Sequence, residues 1–136
     1  MNNIWYPYYK KLEKDEVFDL YSLEYDIKLE RIKALIKDEN VDRYYFYAEE
    51  VKYYSFTHNH GLYLAPFEHS KVIEQKEWPH YYFYEVKNSL LINELVENSI
   101  GTFSAEYLKH FAIRLSEGMF DVVTLDYNPR IVEIKY

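Results

Sequence analysis

Two stretches of the chain nearly repeat each other, and each begins with four consecutive aromatic residues. Residues 44–52 read Tyr-Tyr-Phe-Tyr-Ala-Glu-Glu-Val-Lys, and residues 81–87 read Tyr-Tyr-Phe-Tyr-Glu-Val-Lys. Aromatic runs of this kind favour β-strands. Nothing aligns around the two stretches, whereas a repeat array shows a longer recurring unit. We therefore interpret them as neighbouring or equivalent sheet strands chosen for the same packing.

The length of 136 residues and the hydrophobic content of 49% predict a single folded domain over residues 1–136. The absence of cysteine excludes a disulfide scaffold and cysteine metal sites, and is compatible with a reducing compartment. Residues 1–11 lack the apolar core of a signal peptide, and no apolar run approaches the roughly 20 residues that span a bilayer. We expect a cytoplasmic protein without membrane association or cofactor.

Two segments have the pattern of amphipathic helices. The first begins at Ser22 as N-cap and ends near residues 38–40. Its apolar stripe, at i, i+4, i+7 and i+11, consists of Tyr25, Leu29, Ile32 and Ile36. The second runs over residues 90–98, capped by Ser89 and closed by Gly101.

The remaining patterned segments are typical of strands. They cover residues 44–47, 52–57, 71–73, 81–86, 107–115, 120–125 and 131–136. In residues 107–115, apolar side chains alternate with the polar His110 and Arg114. Turn signals at residues 117–118 and 128–129 join the last three strands into an antiparallel meander. The predicted fold class is α+β: a mainly antiparallel sheet with two helices packed on one face and a C-terminal three-stranded meander.

The formal net charge of −7, from 23 acidic and 16 basic side chains, disfavours nucleic-acid binding and favours a basic protein partner. Acidic and aromatic residues cluster in two parts of the sequence, where tyrosine and tryptophan would act as contact anchors. The predicted partner-binding residues are Asp42, Glu49, Glu50, Tyr53, Tyr54, Glu77, Trp78 and Tyr81.

Motifs for a reaction are not found in the chain. No serine lies in a G-x-S-x-G turn, and Gly61, Gly101 and Gly118 stand alone rather than in a phosphate-binding loop. We therefore predict a protein that is not an enzyme and has no catalytic residues.

Two alternatives remain open. His58 and His60 would point the same way in a strand and could hold a metal, although a metal site needs three or four ligands. This alternative is a small metal-binding domain or metal-dependent enzyme. The second alternative is a homodimer, because an exposed Tyr-Tyr-Phe-Tyr strand at a sheet edge could pair with the same strand of another copy.

The C-terminal third resembles the endings of small acidic bacterial immunity proteins encoded in toxin/immunity loci. The similar stretches are residues 108–113, residues 120–123 and residues 129–131. The resemblance implies a cytoplasmic inhibitor that masks the active site of a toxin, often a basic nuclease. It assigns no site residue, because such proteins use different surfaces for different toxins.

Overall fold

The computed structural model describes residues 3–9, 18–38, 41–58, 71–72, 83–116 and 118–135. Within these residues the chain forms ten strands and one α-helix, α1 (Leu90–Asn98), with a 3-10 turn at Ala105–Tyr107. The strands are β1 (Ile4–Pro7), β2 (Phe18–Asp26), β3 (Arg31–Asp38), β4 (Val41–Ala48), β5 (Val51–His58), β6 (Lys71–Val72), β7 (Phe83–Lys87), β8 (Leu108–Arg114), β9 (Gly118–Leu125) and β10 (Arg130–Glu133).

The strands form two sheets. A six-stranded sheet has the order β5-β9-β8-β7-β1-β6, and a four-stranded sheet has the order β10-β4-β3-β2. All pairings are antiparallel except that of β1 with the short β6. The mainly antiparallel character predicted from the sequence is confirmed.

The largest apolar core lies between the two sheets. Alternate residues of β3 and β4 point into it, including Ile32, Ile36 and Phe46, and the six-stranded sheet contributes Ile113 and Phe120. Because successive side chains of a strand point to opposite faces, this alternation leaves the other face of the four-stranded sheet to solvent.

The outer face of the six-stranded sheet is also covered. Helix α1 packs there through Ile92, which forms a cluster with Leu108 and Val123. Trp5 of β1 covers a neighbouring part of the same face with Tyr84. Strand β8 is therefore covered on both sides, which explains why its polar residues His110 and Arg114 are buried.

The helix predicted from Ser22 is wrong, because this segment is the antiparallel hairpin of β2 and β3. Asp26 Oδ1 accepts hydrogen bonds from the backbone N–H groups of Lys28 and Leu29, and this Asx turn reverses the chain. Leu29, a member of the predicted stripe, lies exposed in that turn, whereas Ala34, which the stripe omits, is fully buried. The buried side chains of this segment follow the two-residue alternation of strands, not the 3.6-residue period of a helix.

The predicted second helix is confirmed at Leu90–Asn98, and Ser89 is its N-cap as expected. Only this one of the two predicted helices occurs in the described chain, with the 3-10 turn as the other helical element. No helix in the described residues is long and apolar enough to cross a membrane.

The prediction of a C-terminal three-stranded meander is only partly correct. Strands β8 and β9 form the expected antiparallel pair, but β10 pairs with β4 in the other sheet. The chain changes sheets between Asp126, which has a positive φ of 51°, and Arg130. The last strand therefore joins the two layers instead of extending one.

The two aromatic runs lie in different sheets. The first belongs to β4, and residues 83–87 of the second form β7; Tyr81 and Tyr82 lie outside the described residues. Tyr44 and Phe83 meet across the core with their ring centroids 5.5 Å apart. Both strands have a partner on each side, so neither β4 nor β7 is an edge strand in the described residues, and a homodimer stays a prediction.

Candidate functional site

The structure places two of the predicted partner-binding carboxylates in local ion pairs at opposite ends of β4. Asp42 lies 3.3 Å from Lys37, and Glu49 lies 2.8 Å from the guanidinium of Arg31. Seven residue steps of extended chain separate the two acids, which corresponds to roughly 23 Å. They do not form one compact acidic cluster.

Three further predicted residues lie at or after the corner between the two sheets. Glu50 occupies the turn between β4 and β5 with a φ of 53°. Tyr53 packs into the apolar cluster beneath α1, whereas Tyr54 contacts Tyr25 at a centroid distance of 5.0 Å. The two adjacent tyrosines thus belong to opposite faces of β5.

The remaining predicted positions are not described. Glu77, Trp78, Tyr81 and His60 lie outside the described residues, and of His58 only its place at the end of β5 is described. Within the described ranges, no group of three or more potential metal ligands lies together. The metal hypothesis therefore remains a prediction about residues beyond this part of the chain.

The most distinctive acidic surface is formed by α1 and the 3-10 turn that follows it. We call the exposed side chains of residues 88–108 the acidic helical surface. This stretch contains the glutamates Glu94, Glu97 and Glu106, all exposed, and no lysine or arginine. The segment itself is negatively charged, and the lysines nearest to it in sequence, Lys87 and Lys109, flank it directly and line the adjacent groove with Glu106.

Apolar side chains project from the same surface. Ile100 is 94% exposed, and Leu90 and Tyr107 are also largely exposed. Ile100 has a φ of 52°, a left-handed conformation that is a clear outlier for a β-branched residue. The turn after α1 thus holds a large apolar side chain out in water at a cost in backbone strain, a combination common at functional surfaces.

A groove of about 300 Å³ lies beside this surface. Ser89 and Asn93 at the start of α1 line one side, and Ala105 and Glu106 of the 3-10 turn also contribute. The groove is large enough for a single long side chain. Glu85, Lys87 and Lys109 also line it, so two carboxylates and two lysine side chains border the groove.

A buried hydrogen-bond chain anchors the helix to the sheet. Ser89 Oγ lies 2.8 Å from His110 Nδ1, and His110 Nε2 lies 2.7 Å from Asp121 Oδ1. Ser89 Oγ also accepts a hydrogen bond from the backbone N–H of Ile92. All these contacts are satisfied when Nε2 carries the histidine proton and the serine hydroxyl donates to Nδ1.

The same three residue types form the triad of serine hydrolases, but these contacts assign a structural role. The histidine nitrogens are used in the reverse order from such a triad, in which Nε2 faces the serine. Ser89 is buried, and its oxygen serves as the helix cap. Sequence reasoning identified the cap but not its partner, because His110 and Asp121 are joined only by the pairing of β8 with β9.

The acidic helical surface continues toward one of the predicted residues. The backbone N–H of Asp126 donates to the carbonyl of Tyr107, and the N–H of Leu125 donates to the carbonyl of Glu50. Asp126 is highly exposed and lies 3.8 Å from Lys109. The surface and the β4–β5 corner therefore form one continuous region.

The described residues form a mainly antiparallel two-sheet protein with a helix on the outer face of one sheet. None of the family models, curated proteins or solved structures with which the chain was compared matches it significantly.

Proposed function

We propose that this protein is a non-enzymatic, cytoplasmic binding protein that occludes a basic protein partner, in the manner of an immunity protein that masks its toxin. The observation that carries the proposal is the acidic helical surface, where exposed glutamates and exposed apolar side chains occur in one segment, residues 88–108, that contains no lysine or arginine. Apolar anchors supply binding free energy, and complementary charge selects the partner and accelerates its encounter.

The size of the surface sets a condition on the interface. Stable complexes bury about 800 Å² on each partner, which is about one tenth of the 8171 Å² exposed by this chain. A helix of nine residues is only about 14 Å long. The interface must therefore extend beyond α1, and the continuous region through Asp126 to Glu50 provides the additional area.

The test begins with co-expression of the protein with the product of the gene immediately upstream, followed by native mass spectrometry. We expect a one-to-one complex with a basic polypeptide whose toxicity is suppressed. A toxin of the nuclease class is one candidate. A monomer that carries neither a partner nor a metal would contradict both the inhibitor and the metal hypothesis.

Matched variants then locate the interface. We expect Ile100→Ala to weaken the complex by roughly 1–2 kcal/mol, since it removes a central apolar anchor. Ile27→Ala is the control, because Ile27 is also highly exposed but lies in the β2–β3 turn. Equal losses from the two variants would exclude the acidic helical surface as the interface.

The charge contribution is tested in the same way. We expect Glu97→Lys to slow association with the basic partner, most strongly at low salt. Glu24→Lys, on the outward face of β2, makes the same change in net charge elsewhere and controls for it. An association rate that falls equally in both variants would show only a global effect of net charge.

A further inference from the structure

Strand β5 is a long edge strand of the six-stranded sheet. In the part of the chain that the structure describes, the sheet edges are β5 and β6 in one sheet and β2 and β10 in the other. Strand β6 has two residues and β10 has four, so both are short. Strand β5 has eight residues and pairs only with β9 among the described strands. The backbone along such an edge is a template on which another strand can add.

The other long edge, β2, carries features that oppose strand addition. Asp19, Glu24 and Asp26 give it three acids and no base, and its register with β3 shifts after Leu20. Charges and bulges of this kind prevent edge strands from pairing with each other. Residues 53–58 of β5, in contrast, contain no aspartate, glutamate, lysine or arginine and pair with β9 in an unbroken register.

Strand β5 also extends the apolar layer of the core to the edge of the sheet. Phe56 lies opposite Phe120 of β9, and Tyr54 lies opposite Val122. Both β9 residues are buried in the core between the sheets. Tyr54 and Phe56 continue this layer but are 38% and 43% exposed, although Tyr25 of β2 contacts Tyr54. Two aromatic rings thus present accessible apolar area beside the backbone edge.

We propose that β5 pairs with β5 of a second copy of this chain, antiparallel and across a twofold axis at Ser55. The pairing joins the two six-stranded sheets into one continuous sheet. Opposite residues of an antiparallel pair have their side chains on the same face, so the axis is perpendicular to the sheet. Both copies of α1 therefore lie on the same side of the joined sheet.

Backbone geometry and the two aromatic rings determine this register. Opposite residues of an antiparallel pair both direct their N–H and C=O groups toward the partner strand or both away from it, and this direction alternates along a strand. For two identical strands, the axis must therefore pass at a residue and not between two residues.

An axis at Ser55 places Tyr54 of each copy opposite Phe56 of the other. An axis at Tyr54 would place Phe56 opposite Lys52, and an axis at Phe56 would place Tyr54 opposite position 58. Of these three registers, only the axis at Ser55 brings both rings opposite another aromatic ring, a favourable cross-strand pair.

The charges around β5 do not oppose the pairing. Lys52 Nζ lies 2.8 Å from a carboxylate oxygen of Glu30 and 4.0 Å from one of Glu50, so the charges at the start of β5 are paired within each copy. This group and its equivalent lie six residue steps apart along the pair, or roughly 20 Å. Asp121, opposite Ser55 in β9, lies three strand spacings from its equivalent, about 14 Å, and the Debye length is about 8 Å. A second copy therefore fits this edge without bringing like charges together.

The first experiment uses the absence of cysteine from the chain. We expect Ser55→Cys to form a disulfide-linked dimer in oxidised glutathione, because the axis brings the two Cα atoms to about 4.5–5.5 Å, within the range that a disulfide spans. Ser22→Cys is the matched control, since Ser22 lies in the other long edge strand, β2. It should remain mainly monomeric on a non-reducing gel.

Sedimentation equilibrium of the chain alone tests the interface without a cross-link. We expect the unaltered protein to dimerise reversibly and Phe56→Lys to raise the dimer dissociation constant about tenfold, since it removes both aromatic pairs. Ile27→Lys makes the same change in charge at an exposed residue of the β2–β3 turn and should dimerise like the unaltered protein. Circular dichroism verifies folding, and Thr57→Lys, at an exposed position of β5, replaces Phe56→Lys if that variant does not fold.

Two results would overturn the proposal. One is an unaltered protein that stays monomeric at the highest concentration it reaches in solution. The other is a dimer that Phe56→Lys leaves intact and that Ser55→Cys cross-links no faster than Ser22→Cys, because such a dimer would form through another surface. Both experiments use the chain without a basic partner, so their outcome is independent of the function proposed above. Two copies with two partner molecules would also keep the one-to-one ratio.

Discussion

At the scale of single residues, Ile100 combines the largest exposure of any apolar side chain described in the structure with an unfavourable backbone conformation. A residue that served only to end α1 would be glycine or asparagine, which adopt a positive φ with little strain. The chain instead has glycine one position later, at Gly101 with a φ of 80°. An isoleucine at position 100 is therefore consistent with a role in binding rather than in stabilising the fold.

A substitution at this position separates stability from binding. We expect Ile100→Asn to raise the free energy of unfolding by about 0.5–1 kcal/mol, because asparagine tolerates the left-handed conformation. Chemical denaturation followed by circular dichroism measures the change. Ile27→Asn is the control, since Ile27 is exposed without a positive φ, and it should give no gain. A loss of stability in Ile100→Asn would show that the isoleucine packs against the fold.

Ser89 provides a second test at this scale, because it is both the cap of α1 and a partner of His110. We expect Ser89→Ala to destabilise the protein by about 2–3 kcal/mol, since the helix loses its cap and a buried nitrogen loses its hydrogen bond. Ser104→Ala is the matched control, because Ser104 precedes the 3-10 turn without a side-chain cap hydrogen bond. Similar unfolding free energies for the two variants would contradict the assigned role of Ser89.

At the scale of elements, the segment 22–38 shows why a helical stripe can be misleading. Four apolar residues of the β2–β3 hairpin face the core between the two sheets, and some of their spacings also match a helix. They are Leu23, Tyr25, Ile32 and Ile36. The turn at residues 27–30 shifts the alternation between the two strands, which mimics a longer period. Pairing with β4 on one side favours the extended form, because it buries Ala34 and Ile36 against the other sheet.

Two glutamate substitutions distinguish the hairpin from the helix. We expect Ala34→Glu to destabilise by more than about 3 kcal/mol, since it buries a charge without a partner in the core. Leu29→Glu should change the unfolding free energy by only about 0.5 kcal/mol, because Leu29 is exposed in the turn. The helical interpretation predicts the opposite order, so urea denaturation of the two variants decides between them.

At the scale of the whole molecule, both the core and a few long-range contacts hold the two sheets together. Tyr8, next to β1 of the six-stranded sheet, donates its hydroxyl proton to the carbonyl of Pro129, next to β10 of the other sheet, at 2.6 Å. Burial raises the pKa of the Tyr8 phenol, and the nearby charges of Glu85 and Tyr127 act in the same direction. Since only the neutral phenol can donate, this contact depends on pH.

The sign of the pH dependence follows from that shift. A pKa raised in the folded state gives a stabilisation that is complete below about pH 10, the unfolded value, and is lost as pH rises through the folded value. We therefore expect the stability advantage of the native protein over Tyr8→Phe to be constant at neutral pH and to shrink above about pH 10. Urea denaturation across this range measures it, and an advantage that grows with pH would contradict the assignment.

The distribution of charge also belongs to this scale. The net charge of −7 indicated a basic partner, yet charges of both signs meet locally: on the outward face of the four-stranded sheet Glu24 lies opposite Lys33, and Asp42 lies opposite Lys37. Lys33, Tyr47 and Arg130 are distant in the chain and become neighbours only through the order of β3, β4 and β10. No local reading of the residues around an aromatic run could reveal this face.

Local patterns were sufficient for several features: the two aromatic strands, the strand pair β8–β9, and helix α1 with its Ser89 cap. Each depends on side-chain alternation, on β-propensity or on a capping side chain, which act over a few residues. Tertiary structure alone decided the rest: the hairpin at residues 22–38, the transfer of β10 to the second sheet, and which charged side chains become neighbours across the four-stranded sheet. These depend on which strands pair across long sequence separations, and such pairing is selected by burial in a common core.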